Sequence, residues 1–448
     1  MILVLTVALL SILALASCSE GGTEEGETPV YRDGDTVYLN VYNWGEYISD
    51  GGEGSLDTNR EFEEYFNTYL SAKYGGVKVR VQYSTYPTNE DMYAKLKNGM
   101  VAYDIVIPSD YMIEKMIEED MLYSFDVTSL ENYKYITDIF RSPYYDPDNR
   151  YSVPYTYGML GIIYNRTVVD ESDLGSWELL WNEKYDGDIL QFNNPRDASA
   201  TAMYYLGIDV NSRNPEDWIR AIDKLKEQKS LLQGYVNDEI FNKMTTESAA
   251  IAPYFVGDFL TMVSEEENLD FFYPKEGVNY FVDAMCIPKA SKNPEIAKEY
   301  INFMLTEEVA VANAEYIGYA SPNSLVINSD EYREYMNTEY LAPTYDDEGN
   351  MITLGAYELL YDRKPEEVNA AYNALFPDKQ SPACYRSYTP EIQILLNDLW
   401  EELKIYDSTE TWIHVSSASI VAVVLGFAAY SIYIKKKRSK HYRKKKTK

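Results

Sequence analysis

Apolar and polar positions alternate over Thr36-Val-Tyr-Leu-Asn-Val-Tyr-Asn43, the two-residue period of a strand with one face turned to a core. From Glu61 to Leu70 the period lengthens, with Phe62, Tyr65, Phe66 and Tyr69 at helical spacing. Val77-Lys-Val-Arg-Val-Gln-Tyr83 alternates again, and a helix beginning at Asn89 carries Met92, Tyr93 and Leu96. Asp104-Ile-Val-Ile-Pro108 is the short apolar run of a buried parallel strand, and Tyr111 to Met121 is helical once more. Strands alternating with helices predict an α/β layer on a parallel sheet. Ligands of such sheets bind beyond the carboxyl ends of the strands. Segments 42–47, 83–89 and 108–111 are therefore expected around one crevice. Past Val153 the pattern restarts, with strands at Leu160–Tyr164 and Ile189–Phe192 and helices at Ala198–Leu206, Asp217–Glu227 and Pro294–Leu305.

Two apolar stretches stand outside this alternation. Ile2 to Ala16 has the length of a secretory signal core and is too short for a membrane span. It ends in Leu15-Ala16-Ser17-Cys18, which resembles the bacterial lipobox, whose Cys is lipidated after cleavage of the signal; no Lys or Arg precedes the apolar run. Residues 1–18 thus read as a lipoprotein signal, and 19–35, opening on a Gly/Glu-rich run, as a flexible tether. Trp412 to Ile434 is 23 residues without an acid, Lys or Arg. As a helix it rises about 34 Å, enough to cross a hydrocarbon core of about 30 Å. Lys435 to Lys448 adds ten Lys/Arg and no acid. By the positive-inside rule that tail is cytoplasmic and the body lies outside the cell membrane.

Length and composition narrow the function. At 448 residues, 46% hydrophobic and 25% charged, the chain has room for two domains and a real core. The formal net charge is −32; without the ten cations of the tail the rest stands at −42. Such a field repels nucleic acid and concentrates cations at a cleft. The only histidines, His414 and His441, lie in or beyond the C-terminal apolar segment, so the body lacks the commonest general base and metal ligand. Catalysis is disfavoured, although carboxylates, Lys and Tyr remain for acid/base work, and neither a metal site nor a cofactor is expected. Cys286 and Cys384 either pair or serve as two buried thiols; buried thiols are the better reading.

Eight motifs then follow in order: Tyr42-Asn-Trp-Gly-Glu-Tyr47, Tyr83-Ser-Thr-Tyr86, Met92-Tyr-Ala-Lys-Leu-Lys97, Tyr103-Asp-Ile-Val-Ile-Pro-Ser109, Tyr151-Ser-Val-Pro-Tyr155, Tyr273-Pro-Lys-Glu-Gly277, Ile301-Asn-Phe-Met304 and Ile317-Gly-Tyr-Ala-Ser-Pro-Asn323. Together, over residues 36–405, they resemble the bacterial spermidine/putrescine-binding proteins of polyamine ABC transporters. The resemblance implies an α/β, two-lobed periplasmic-binding-protein-like fold of type II with a cleft between lobes. Lobe one would hold 36–155 and 282–330, and lobe two 156–281 and 331–405. It further implies a non-enzymatic protein that captures a polyamine and presents it to the permease and ATPase subunits of an importer.

A polyamine requires carboxylates spaced to meet its ammonium groups and aromatic faces for its methylenes and charges. The resemblance places Trp44, Tyr47, Tyr111 and Tyr319 on the aromatic lining, with Phe255 and Phe281 as walls and Ser109 as a hydroxyl acceptor. Asp283, between apolar neighbours in a strand-like run, matches the carboxylate that holds an amine; the competing role is a buried structural ion pair. In Asn193-Asn-Pro-Arg-Asp197, Asn194 replaces one acid of the spermidine pattern while Asp197 keeps the other, unless Asp197 caps the helix that follows. Phe255-Val-Gly-Asp258 matches the Trp-x-Gly-Asp pattern of putrescine-type members, and Asp258 either pairs an amine or caps a helix. Glu46 adds a carboxylate near Trp44, and Tyr385 or Arg386 falls near a further contact. Rival readings are a binding protein for an amino acid or for ferric iron, a carboxylate-based surface enzyme, and a polyamine sensor.

Overall fold

The computed structural model describes residues 31–405 apart from 53, 100, 340, 346–350, 362–363 and 378–382. The lipidation candidate Cys18, the signal, the tether up to residue 30, the expected span at 412–434 and the basic tail lie outside the described residues. No helix among the described residues is long and apolar enough to cross a membrane.

The first alternating segment is strand β1 (Thr36–Trp44), with Val37, Leu39 and Val41 in the core and Tyr38 in solvent. Helix α1 (Thr58–Tyr65) starts ahead of the expected position because the Asp57 side chain caps it by accepting from the Arg60 N–H. It passes into a π turn over Phe66–Leu70. Strand β2 (Lys78–Tyr86) runs parallel to β1 in unbroken register, Thr36 opposite Lys78 through Trp44 opposite Tyr86. Helix α2 (Asn89–Lys97) is capped by Thr88. The expected run at 104–108 yields only a two-residue strand, β3 (Ile105–Val106), parallel to β1, and helix α3 (Asp110–Glu118) follows Ser109.

Strand β4 (Ser152–Asn165) is buried along all 14 residues. Only its second half was expected, because Pro154 and Gly158 interrupt the strand pattern of the first half, which pairing with a distant strand holds extended. Next come β5 (Ile189–Phe192), α4 (Pro195–Tyr205), α5 (Pro215–Gln228), β6 (Leu232–Val236) and α6 (Glu239–Thr245). They are followed by β7 (Ile251–Phe255), α7 (Val256–Glu265), β8 (Leu269–Phe272) and β9 (Tyr280–Cys286). Helix α4 begins earlier than expected, since Pro195 suits the first helical position and Asn194 is its cap, accepting from the Asp197 N–H at 2.8 Å. The cap is therefore Asn194 and not Asp197.

The sheet runs β2-β1-β3-β9-β4-β7-β5-β6, with β8 added to β4. Residues Ser152–Met159 of β4 pair antiparallel with β9, while Leu160–Asn165 pair with β7 and β8. One strand thus belongs to two half-sheets, and the expected lobe boundaries at 155/156 and 281/282 fall inside β4 and β9. Helices α8 (Pro294–Met304) and α9 (Glu307–Ile317) follow, and Gly318, at φ 69°, ends α9 in the left-handed conformation. The C-terminal part returns to α5: Tyr388 packs edge-on against Trp218 at 4.9 Å, and Lys226 pairs with Glu402 at 3.0 Å. Cys286 and Cys384 are both free and buried.

The loop feeding β4 turns on one carboxylate. Buried Asp146 accepts from the N–H groups of Arg150 (2.8 Å), Tyr151 (2.9 Å) and Ser152 (3.0 Å), and from the Ser152 hydroxyl at 3.0 Å. Asp146→Ala is predicted to lower stability by about 3 kcal/mol, since each buried donor left unsatisfied costs roughly 1–3 kcal/mol. Urea denaturation measures this, and an unchanged midpoint would show that the loop holds without its acceptor.

Candidate functional site

Asp283 stands in the middle of β9, opposite Thr156 of β4 and bridged on its other side to Ser109. Strand pairing on both edges fixes its backbone, and the register shifts in β4 between Pro154 and Thr156 beside it. The residue is 3% exposed. Its Oδ2 accepts from the Tyr47 hydroxyl at 2.7 Å, and that hydroxyl lies 2.6 Å from Thr156 Oγ1. Its Oδ1 is buried and makes no hydrogen bond of good geometry among the described residues, the Ser109 hydroxyl being the group nearest to supplying one. Burial pushes the carboxyl up to about 6, against the pull of the Ser109 and Tyr47 hydroxyls. Among the described residues no lysine or arginine pairs with it, so it is an acid surrounded by hydroxyls and not half of an ion pair.

An aromatic box adjoins it. Tyr319 stands edge-on to Tyr47 (5.6 Å) and to Phe281 (5.8 Å), and Phe281 meets Phe255 at 5.2 Å. The box exists because two glycines make room. A Cβ at Gly257 would come within 2.6 Å of the Tyr319 ring, and one at Gly158 within 2.7 Å of Phe281. Tyr319 donates to Asp258 Oδ2 at 2.5 Å. Asp258 sits in the first turn of α7, and burial pushes it up to about 7. Two carboxylates, joined through two phenols, thus face the same walls.

A second group lies along α3 and α4. The Asn89 side-chain amide donates to Ser109 Oγ (3.1 Å) and to the Tyr111 hydroxyl (3.0 Å), which in turn donates to Glu90 at 3.2 Å. The Arg196 guanidinium lies 3.6 Å from the ring centre of Tyr111 and equally close to that of Tyr388. Asp197 accepts from the Asn194 amide at 2.9 Å, and burial raises its carboxyl. Trp44 is half-buried beside Tyr86 and donates its indole N–H to the Ile107 carbonyl at 2.9 Å. Glu46 is exposed at φ 48°, accepting from Tyr316, and stands apart from both groups.

The fold therefore gathers Tyr47, Ser109, Phe255, Asp258, Phe281, Asp283 and Tyr319, and links them through Asn89 to Tyr111, with Asp197 beyond. Sequence reasoning missed Thr156, Glu90, Arg196 and Tyr388. Thr156 directly follows the Tyr151–Tyr155 motif, and Arg196 adjoins Asp197; Tyr388 carried no signal among so many tyrosines. Desolvation beside carboxylates holds the phenols of Tyr47 and Tyr319 well above their ordinary value. They remain protonated donors to the two carboxylates. Uncompensated acids within aromatic walls suit an organic cation.

Residues 62–339 match the model of the bacterial extracellular solute-binding protein family. The spermidine/putrescine-binding periplasmic protein of Escherichia coli is 34% identical over 293 residues, 65% of this chain and 78% of that one. The putrescine/cadaverine-binding protein of Pseudomonas aeruginosa is 26% identical over 64% of this chain and 80% of its own. Among solved structures, the spermidine/putrescine ABC transporter substrate-binding protein PotD from Streptococcus pneumoniae superposes with a TM-score of 0.57 at 32% identity, covering 82% of this chain and 99% of that one.

Asp258 and Asp283 hold protons in the fold at pH values where an unfolded carboxylate, near 4, has lost them. Stability arising from these two groups is present at low pH and falls as pH rises from about 4 to about 7. Asp258→Asn is predicted to stabilise the ligand-free protein at pH 7.5 and to lose that advantage near pH 4. Denaturation midpoints across this range measure it. A difference between variant and wild type that stays constant with pH would overturn the assignment.

Proposed function

Because the chain belongs to the family of bacterial extracellular solute-binding proteins, we propose that it captures polyamines such as putrescine or spermidine outside the cell for an ABC importer. The observation that carries the reading is Asp283: a buried carboxylate with one oxygen unpartnered, beside an aromatic box that a second acid enters from the other side. An ammonium group donates where Oδ1 has no partner, and its methylenes pack on Tyr47, Phe281, Phe255 and Tyr319. Asp258 takes a second charge, and Tyr111 and Asp197 extend the track. The names of the relatives, which bind spermidine, putrescine or cadaverine, support the same class of ligand. The ligand lies between two lobes joined by β4 and β9, and closure of the lobes over it presents the loaded protein to the permease. Cys18 as a lipid attachment and 412–434 as a span with a cytoplasmic tail would hold the body at the membrane surface.

Calorimetric titration of the full chain with putrescine, spermidine, spermine and an amino-acid panel tests the reading. Polyamines are expected to bind and amino acids not to. Binding is expected to release protons at pH 6.5, because an ammonium favours the charged forms of Asp258 and Asp283. Asp283→Asn is predicted to weaken polyamine binding on the order of 30-fold to several-thousand-fold, about 2–5 kcal/mol. Its ligand-free stability should be unchanged or higher. Affinity within about threefold of wild type would remove Asp283 from the site.

A further inference from the structure

Tyr111 and Glu114 are three residues apart on α3 and so share one face of that helix. Two arginines reach this face from the other side of the cleft. Arg196, on α4, lies between the rings of Tyr111 and Tyr388. Arg386 forks onto Glu114, its Nε lying 2.9 and 3.2 Å from the two carboxylate oxygens, with Nη2 on Oε1 as well. The Ser387 N–H adds a further bond to Glu114 at 2.6 Å.

The segment bearing Arg386 is anchored to the α4–α5 side. The Arg386 N–H donates to Asn211 Oδ1 at 2.8 Å, and the Asn211 amide donates to the Cys384 carbonyl at 2.8 Å. Arg196 Nη1 donates to the Arg386 carbonyl at 3.1 Å, which ties the two arginines together. The Glu114 side chain is 11% exposed and that of Arg386 36%. A forked pair of this kind, with its carboxylate mostly buried, holds its geometry better than a single-point surface contact.

We propose that the Glu114–Arg386 pair, with Arg196 between its two rings, is a clasp that positions Asp197 opposite Tyr111 without touching the ligand. This rests on the reading of the cleft given above. The clasp sets the fraction of molecules in the binding-competent arrangement, and that fraction scales the affinity for every ligand alike. Glu114 and Arg386 are positioning residues: they act on the cleft through α3 and α4.

The test uses the full chain with Glu114→Gln, which keeps shape and acceptors but not charge, and Arg386→Lys, which keeps charge but not the fork. Both are expected to weaken putrescine and spermidine by the same factor, about tenfold for Glu114→Gln, through a slower apparent association and not faster dissociation. Dyes on Lys78→Cys and Glu227→Cys, exposed positions on the two half-sheets' sides, should report a broader distance distribution in the ligand-free variant. Affinities within about twofold of wild type, or factors that differ between the two ligands by more than about threefold, would overturn the clasp. So would a lowered melting temperature with unchanged association rate and dye distances, the signature of a purely structural pair. If the wild type binds no polyamine, the ligand reading fails, and the dye distances alone decide on the clasp.

Discussion

A carboxylate fixed in the middle of a sheet governs this molecule. Asp283 cannot swing out to water, because its strand is paired on both edges, with Thr156 on one side and Ser109 on the other. Burying a charge without a counterion is costly, and hydroxyl groups around it recover only part of that cost. Tyr47 lies where it can donate to Asp283, and Tyr319 packs on Tyr47 while donating to Asp258. Gly158 and Gly257 leave the space that those rings fill. The core is arranged so that the charge deficit of Asp283 sits beside the ring cluster of Tyr47, Phe281 and Tyr319.

Most regular elements could be read from the sequence, because their periods are local. The boundaries shifted where a cap intervened: Asp57 lengthened α1, and Asn194 with Pro195 started α4 early. The same Asn194 explains how the acid of the spermidine pattern became an amide here, since it caps a helix and also holds the Asp197 carboxylate in place. The first half of β4 was invisible because Pro154 and Gly158 interrupt its pattern, and only its pairing with β9 holds it as a strand. Within the site, Asp283 was legible as a charge in an apolar run. The sandwich of Arg196 between Tyr111 and Tyr388 was not, because it joins three separate segments and tyrosine is too common here to mark a position. Glu46, two residues after Trp44, is carried to the surface by a left-handed backbone that its sequence neighbours did not announce.

The two cationic side chains near the cleft differ in the work they do. Arg386 is neutralised by Glu114, and its contribution is geometric. Among the described residues Arg196 has no carboxylate as a hydrogen-bond partner and no partner at its Nε, and it rests on aromatic faces. A planar, weakly hydrated guanidinium tolerates that setting where an ammonium would not. Part of the aromatic lining thus serves to accommodate a fixed cation of the protein itself.

Strand β4 carries a consequence for inheritance and engineering. Since its first eight residues complete one half-sheet and its last six the other, no cut in the gene yields two whole modules. A fragment ending before β4 would leave β3 without its partner β9, and one beginning after it would leave β8 and β9 without their β4 partner, each an open edge and a template for aggregation. Recombination between relatives can exchange surface helices or loops, but the strand that passes through both halves has to be transmitted intact, together with the residues it pairs with on either side.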